Sequence, residues 1–277
     1  DVDIRKSVER VKDADIVIFA SGISPSLEGE EMGVNLPGFK KGDRTDIELP
    51  AVQRELIDAL HRAGKKIILV NCSGSPIGLE PETQKCEAIL QAWYPGQQGG
   101  KAVAEVLFGD YNPAGKLPVT FYRNVSQLPD FEDYNMTGRT YRYMQDVPLF
   151  PFGYGLSYTT FGYGKTVLDK NELTAGQSLK LTVPVTNTGK CNGEEVVQVY
   201  LRKQGDAEGP IKTLRAFKRV SIPAGKTVNV EFDLKDKELE WWDDQSNTVR
   251  VCPGNYDIMV GGSSKEEDLQ RTTIAIK

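Results

Sequence analysis

The sequence predicts an α/β domain followed by an all-β sandwich, and three observations support that fold class. The chain has 277 residues, a length that corresponds to about two domains. Within residues 1–122, apolar runs of strand length alternate with amphipathic segments, which favours a mostly parallel sheet covered by helices on both faces. Within residues 162–277, short alternating runs are separated by turn residues, which is typical of a β-sandwich.

The predicted α/β domain, residues 1–122, contains three buried strands and two helices. Pro50 suits the first turn of a helix, and the apolar stripe that follows it ends at Gly64. A second amphipathic segment ends in the same way at Gly109. Ligands of such sheets bind at the carboxyl ends of the strands, so the loops there are the candidate sites. In chain order, the predicted elements are strand 14–20, helix 50–63, strand 66–70, strand 87–92 and helix 100–108.

Residues 123–161 form a predicted connector, and residues 162–277 form the predicted sandwich. The connector is rich in proline, glycine and aromatic residues, a composition that excludes a regular helix and is too aromatic for a free linker. We therefore expect it to pack on both domains. The number and spacing of the runs after it indicate a sandwich of the immunoglobulin or fibronectin type III kind. The predicted strands are 178–185, 195–202, 214–222, 227–234, 256–260 and 272–276.

The composition excludes several classes of function. The formal net charge is −5, which argues against nucleic acid or an anionic membrane as the main partner, and no apolar run approaches the ~20 residues of a membrane span. The single histidine, His61, removes most histidine-based triads and metal sites, and its place beside Arg62 favours an exposed position. The four cysteines match no zinc pattern. We therefore expect neither a metal nor a cofactor.

The loop after the first predicted strand, residues 21–33, contains three clustered acids: Glu28, Glu30 and Glu31. A partly shielded carboxyl group near other acids can have a raised pKa and donate a proton near neutral pH. A solvent-facing acidic loop is the simpler interpretation. A calcium site is a third, although the spacing lacks the Asp-x-Asp-x-Asp ladder.

Three other stretches are weaker candidates. Residues 71–75 follow a strand but lack the G-x-S-x-G pattern of a nucleophile turn, so we expect a tight turn that touches a ligand or a neighbouring domain. Residues 93–96 either border a pocket or pack at a strand end. The pair Trp241 and Trp242 either binds a sugar or packs at a domain interface.

Four groups of residues carry a family resemblance over nearly the whole chain. They are 27–30 with 42–44, 47–50 and Gln53, then 93–96 with 99–100 and 108–118, then 150–159, and finally 187–189 with 195–200 and 253–256. Together and in this order, they resemble the C-terminal part of glycoside hydrolase family 3. The resemblance implies an α/β sandwich with a mostly parallel, flavodoxin-like sheet, followed by a fibronectin type III-like domain.

The resemblance also implies a retaining mechanism with two carboxylates, which lie ~5–5.5 Å apart in such enzymes. In this family the nucleophile is an aspartate on a preceding (β/α)8 barrel, and the acid/base is a glutamate on a loop of the α/β domain. Ser26-Leu27-Glu28-Gly29 is the stretch most similar to the family's acid/base motif. Glu28 is therefore the predicted acid/base, with Glu30 and then Glu31 as alternatives.

The family's barrel has no counterpart in these residues, and the α/β domain looks shortened at its N-terminus. We therefore expect the C-terminal portion of a longer enzyme, whose partners are an oligosaccharide substrate and the missing N-terminal barrel domain. Without the nucleophile, this chain alone is expected to be inactive.

The resemblance predicts an exo-β-glycosidase that removes terminal non-reducing sugars from plant-type oligosaccharides. Residues 138–143 resemble the β-xylosidase branch, which favours xylan degradation over β-glucosidase or arabinofuranosidase activity. Relatives of this kind are usually exported, so the predicted location is periplasmic or secreted. The alternative is a non-catalytic fragment that binds carbohydrate or a partner. A flavodoxin-like cofactor domain is a weaker alternative, since Gly153-Tyr154-Gly155 is not a dinucleotide loop.

Overall fold

The computed structural model describes residues 3–29 and 31–277. These residues form two compact units. The first comprises Asp1–Asp110 and Phe121–Asp133, and the second comprises Tyr111–Thr120 and Tyr134–Lys277. The predicted connector is thus shared between the units, and the domain bounds 1–122, 123–161 and 162–277 stay a prediction.

The first unit is an α/β unit built on a three-stranded parallel sheet. Strand β4 lies between β1 and β5 and is parallel to both. Its side chains Ile67, Leu69 and Val70 are buried, and helix α2 contributes Ile57 and Leu60 to the same core. The elements are α1 (Ile4–Arg10), β1 (Ile16–Gly22), β2 (Phe39–Lys40), β3 (Asp43–Arg44), α2 (Ala51–Arg62), β4 (Lys66–Cys72), α3 (Glu80–Thr83), β5 (Ala88–Gln91), α4 (Gly99–Phe108) and a 3-10 turn, Val125–Gln127.

Strand β1 differs from its prediction in burial. The sequence predicts a strand that is buried on both faces, yet Ile16 is 51% exposed and Ile18 is 50% exposed. The reason is position, because β1 lies at an edge of the sheet whereas β4 lies at its centre. Apolar character alone does not distinguish an edge strand from a central one.

The second unit is a β-sandwich of a five-stranded and a four-stranded sheet. The first sheet has the order β11-β10-β15-β16-β8, and the second has the order β12-β9-β6 with β7 also paired to β9. The elements are α5 (Thr140–Tyr143), β6 (Phe161–Tyr163), β7 (Val167–Leu168), β8 (Glu172–Leu173), β9 (Leu179–Asn187), β10 (Gly193–Lys203), β11 (Thr213–Ile222), β12 (Thr227–Leu234), α6 (Asp236–Leu239), β13 (Trp241–Asp243), β14 (Thr248–Arg250), β15 (Gly254–Gly261), a 3-10 turn, Glu266–Asp268, and β16 (Gln270–Ile276).

The core of the sandwich follows from the alternation of its strands. Every second residue of β9, from Leu179 to Val185, is fully buried, and so are Val197 and Val199 of β10. These side chains belong to one hydrophobic cluster, as expected when two sheets turn their apolar faces inward. The predicted fold class, an α/β sandwich with a mostly parallel sheet followed by an all-β sandwich, is confirmed.

The helices of residues 3–29 and 31–277 are all too short or too polar to cross a bilayer.

Candidate functional site

Three loops begin at the same edge of the parallel sheet in the first unit. They follow β1 at Gly22, β4 at Cys72 and β5 at Gln91. Because parallel strands end at a common edge, residues that are far apart in sequence meet there. The three loops supply Glu28, the pair Gly74 and Ser75, and Tyr94.

Gly22 fixes the start of the first loop. Its N–H donates to Oε1 of Gln53 (3.0 Å), and its carbonyl accepts from Nε2 of the same side chain (2.8 Å). The next residue, Ile23, donates its N–H to the Cys72 carbonyl (2.9 Å). A Cβ on Gly22 would collide with that carbonyl, and its φ of +130° lies where side chains are strained. Glycine is therefore required where the chain leaves the sheet.

The Glu28 carboxylate is bound by groups from the two other loops. Its Oε2 accepts the N–H of Gly74 (2.9 Å) and the hydroxyl of Tyr94, and its Oε1 accepts the hydroxyl of Ser75. Only 11% of the side chain is exposed. Both carboxylate oxygens are therefore engaged, and the plane of the group is fixed.

Arg44 places a positive charge beside this carboxylate. Its guanidinium nitrogen lies 3.6 Å from Oε1 of Glu28. A second nitrogen donates to the Glu48 carbonyl (3.0 Å), and the group stacks on the Phe39 ring at 5.4 Å. Arg44 is thus held by its own strand pair, β2 and β3, and faces Glu28 in a fixed position.

These contacts decide the ionisation of Glu28. Burial alone raises the pKa of Glu28, but the hydrogen bonds from Ser75, Tyr94 and Gly74, together with the charge of Arg44, outweigh burial and hold the pKa below its ordinary value. The structure therefore contains an ionised carboxylate, which is a proton acceptor. The raised pKa expected from clustered acids does not occur, since the groups that contact the Glu28 carboxylate among the described residues are hydrogen-bond donors and a cation.

The carboxylate lies in an open cavity of about 560 Å³ within the first unit, a volume within the usual range for small-molecule sites. The cavity is lined by Glu28, Gly29, Gly42, Asp43, Arg44, Gly74, Ser75 and Tyr94. Chemically, it combines a carboxylate, a hydroxyl-bearing aromatic ring and a guanidinium. A carboxylate in this setting can accept a proton from a bound polar molecule or return one to it.

The two alternative acids differ from Glu28 in position. Glu31 is exposed, has a left-handed φ of 51° and does not line the cavity. Glu30 lies outside the described residues. Of the two acids that the structure describes, Glu28 and Glu31, it places Glu28 in the cavity.

Some of the other candidates from the sequence belong to this site and others lie elsewhere. Residues 71–75 contribute Ser75, in agreement with a tight turn at a ligand site, and residues 93–96 contribute Tyr94, in agreement with a stretch that borders a pocket. Trp241 is buried in the sandwich core with its ring edge against Tyr256, while Trp242 is half-exposed. His61 is exposed on α2. In the part of the chain that the structure describes, no three potential metal ligands cluster.

The partnership of Ser75, Tyr94 and Arg44 with Glu28 was not predicted from the sequence. The stretches that contain these residues were candidates, but none of the three side chains was assigned to the glutamate. Sheet topology could have predicted two of these partners. Ser75 and Tyr94 both follow strands that end at the edge where β1 ends.

Comparisons with known proteins identify related families for both units. The family model described as "Glycosyl hydrolase family 3 C-terminal domain" matches residues 1–158. The model described as "Fibronectin type III-like domain" matches residues 195–264. The first match covers more than half of the 277 residues.

Individual relatives show the same similarity. The chain is 56% identical over 275 residues to a xylan 1,4-beta-xylosidase of Xylanibacter ruminicola, which covers 99% of this chain and 32% of that protein. It is 36% identical over 274 residues to a periplasmic beta-glucosidase of Salmonella typhimurium, which covers 94% of this chain and 34% of that protein. The chain therefore spans about a third of the length of these relatives.

A solved structure extends the similarity to the fold. A β-glucosidase from Erythrobacter marinus superposes with a TM-score of 0.86 at 39% identity, covering 99% of this chain and 36% of that one. A β-glucosidase from Listeria innocua gives a TM-score of 0.82 at 28% identity.

Proposed function

The chain belongs to glycoside hydrolase family 3, and we propose that its Glu28 is the general acid/base of a retaining exo-β-glycosidase. The observation that carries the proposal is the binding of this carboxylate by the two neighbouring loops at the carboxyl edge of a parallel sheet. Carboxylates that are ordered in a cavity and held by specific partners are candidates for proton transfer.

The proposed reaction has two steps. In the first, protonated Glu28 donates its proton to the glycosidic oxygen while a carboxylate nucleophile forms a covalent bond to the sugar and the aglycone leaves. In the second, ionised Glu28 takes a proton from water, which hydrolyses the glycosyl-enzyme. The nucleophile is proposed to be an aspartate supplied from outside these 277 residues, so the chain provides half of the active site.

The low pKa of Glu28 suits its role as the general base of the second step. As the general acid of the first step, the carboxyl must hold a proton, which requires a raised pKa. A second carboxylate at ~5–5.5 Å supplies that change, because a like charge disfavours ionisation. Covalent bond formation then removes the charge of the nucleophile, and Glu28 returns to its low pKa for the second step.

The proposed substrates are β-linked xylosyl oligosaccharides, cleaved at the non-reducing end, with β-glucosides as the second class. The support is the 56% identity to a protein named xylan 1,4-beta-xylosidase. The proposed location is the periplasm or the exterior of the cell, and the support is the similarity to a protein named periplasmic beta-glucosidase.

Replacement of Glu28 tests the catalytic role in the full-length polypeptide that contains this chain. Glu28→Ala should lower kcat/KM on an alkyl xyloside, a poor leaving group, by about 10²–10⁴-fold. A dinitrophenyl xyloside needs no protonation to leave, so its first step should be preserved. Azide, which needs no general base, should then restore turnover and yield a glycosyl azide.

The matched control is Glu31→Ala, since Glu31 is exposed and outside the cavity. It should retain the kinetics of the unmodified enzyme. Unchanged kinetics in Glu28→Ala would refute the catalytic proposal and favour a fragment that only binds carbohydrate or a partner.

A further inference from the structure

We propose that Tyr94 is a positioning residue whose hydroxyl orients the Glu28 carboxylate, and that a strained turn at Trp93 holds its ring in place. This inference rests on the proposed function of Glu28. It assigns Tyr94 to proton transfer through Glu28 rather than to contact with the reacting atoms.

The two oxygens of the Glu28 carboxylate accept hydrogen bonds from different donors. Tyr94 and the N–H of Gly74 both donate to Oε2, whereas Ser75 donates to Oε1. Donors on both oxygens prevent rotation of the carboxylate about its terminal torsion, which is otherwise broad. Removal of the Tyr94 hydroxyl leaves Oε2 with the backbone N–H alone among these donors.

Tyr94 is also a donor at every working pH. Burial and the neighbouring Glu28 raise the pKa of Tyr94 to about 12, so the phenol keeps its proton. A phenol that stays protonated can donate to a carboxylate continuously, and its hydrogen bond favours the ionised form of Glu28.

Gly74 leaves the space in which the Tyr94 ring and the Glu28 carboxylate meet. A Cβ at this position would lie 2.5 Å from Cε2 of the Tyr94 ring and 3.1 Å from Oε2 of Glu28. The first of these distances is too short for any real contact. The absence of a side chain at residue 74 therefore permits the ring and the carboxylate to approach each other.

The backbone is strained at the residue immediately before Tyr94. Trp93 has a φ of 55°, and a left-handed conformation is strained at a bulky residue and persists only where the surroundings enforce it. The enforcing contact is the edge-on packing of Trp93 against Phe121, with ring centroids 6.1 Å apart, and Phe121 is buried. The Trp93 anchor directs the next residue, Tyr94, over the cavity.

Simple packing does not account for Tyr94. The side chain is 41% exposed, so its ring contributes little to a hydrophobic core, while its hydroxyl contacts the carboxylate. A hydroxyl with a positioning role is distinguished from a ring with a packing role by removing the oxygen alone.

Tyr94→Phe in the full-length polypeptide is that experiment. Kcat on an alkyl xyloside should fall about tenfold, the effect of losing one hydrogen bond to a charged group. The pKa of Glu28 should rise without this donor. Because the free enzyme must hold Glu28 protonated to start the reaction, the basic limb of the kcat/KM profile should move to higher pH. A structural role for the ring alone would not move this limb.

Tyr111→Phe is the matched control. Tyr111 is similarly exposed and its hydroxyl also takes part in a hydrogen bond, which it accepts from Arg219 (2.7 Å), but it does not line the cavity. Its kcat and pH profile should equal those of the unmodified enzyme. Gly74→Ala should act in the same direction as Tyr94→Phe, since it forces the Tyr94 ring away from Glu28.

Glu28→Gln in the same polypeptide separates failure of this inference from failure of the proposed function. If Glu28→Gln keeps full activity, the proposed function falls and this inference falls with it. If Glu28→Gln loses activity while Tyr94→Phe retains the kcat and the pH limb of Tyr111→Phe, the inference alone is overturned. A shift of the limb in Tyr94→Phe with an unchanged melting temperature supports it.

Discussion

Glu28 receives donors from two loops and a positive charge from a third segment, and each of these partners favours the ionised carboxylate. The partners lie 46, 47 and 66 residues further along the chain at Gly74, Ser75 and Tyr94. Hydrogen bonds to an ionised acceptor are roughly twice as strong as neutral ones. The local environment of Glu28 is therefore assembled for an anion before any substrate binds.

This environment predicts a dependence of stability on acid. The folded-state pKa of Glu28 lies below its ordinary value of 4.5, so the group stabilises the fold above the unfolded pKa. That contribution is lost as the pH falls through the folded pKa. In urea unfolding at a series of pH values, Glu28→Gln should lose less stability below pH 4.5 than the unmodified chain.

Glu31→Gln is the control for this measurement, since Glu31 is exposed. Its stability should follow the unmodified chain across the whole pH range. If Glu28→Gln and the unmodified chain lose stability in parallel on acidification, the lowered pKa of Glu28 is contradicted.

At the residue scale, the sequence predicted Glu28 but not its partners. The glutamate was identified by a short motif, which is a local property. Its hydrogen bonds depend on the paths of three loops and on side-chain rotamers, which no periodicity encodes. The rule that parallel strands end at one edge narrows the search to the loops at residues 71–75 and 93–96 but does not select Ser75 or Tyr94 within them.

Arg54 joins three segments of the first unit through one half-buried side chain. Its Nε donates to Glu82 (2.8 Å), and another nitrogen donates to Glu48 (2.7 Å). A third contact reaches the Gly78 carbonyl (2.9 Å). Glu82 on α3 is fully buried, so helix α2 and helix α3 are connected by an ion pair whose carboxylate is desolvated.

Breaking this ion pair from one side should be destabilising. Glu82→Ala leaves the half-buried Arg54 guanidinium with Glu48 as its remaining carboxylate partner, so the expected loss lies between about 1 kcal/mol, the value for an exposed pair, and about 3–5 kcal/mol, the value for a fully buried one. The double variant Arg54→Met with Glu82→Met removes both charges and should recover much of that loss. The measurement is the free energy of unfolding in urea by circular dichroism.

Lys101→Met provides the comparison, because Lys101 forms an exposed pair with Glu105 (3.1 Å). An exposed pair of this kind contributes at most about 1 kcal/mol. Equal losses in Lys101→Met and Glu82→Ala would contradict a special role for the buried pair.

At the element scale, local patterns predicted the regular strands well. The predicted strand 227–234 coincides at both ends with β12 (Thr227–Leu234). The reason is that the alternation of apolar and polar residues that identifies a sandwich strand lies entirely within that strand. Helices α3 and α5, with four residues each, were not predicted, since one turn is too short to show a period. The exposure of β1 was also missed, because it depends on which strands lie beside it.

At the scale of the whole molecule, family models and physical units describe the sandwich differently. The fibronectin type III-like model matches residues 195–264, whereas the sandwich extends from β6 to β16. Strand β9 lies before the matched region, yet it pairs with β12 and supplies four fully buried side chains to the core. The second unit is thus larger than its most recognisable segment.

The proposed division of the active site leads to the last prediction. A retaining reaction needs a nucleophilic carboxylate ~5–5.5 Å from the acid/base, and the proposal takes that group from outside these residues. The 277-residue chain should therefore release no nitrophenol from a nitrophenyl xyloside, even when circular dichroism shows it to be folded. The full-length polypeptide should release it under the same conditions.

The same chain offers an internal control for this prediction. Asp43 lines the cavity together with Glu28, so it is the carboxylate that could replace an external nucleophile. Turnover by the chain alone, abolished in Asp43→Ala, would contradict the external nucleophile and make these residues a complete active site. An inactive chain is the expected result, because the proposal assigns to no carboxylate within these residues the bond that the external nucleophile makes to the sugar in the first step.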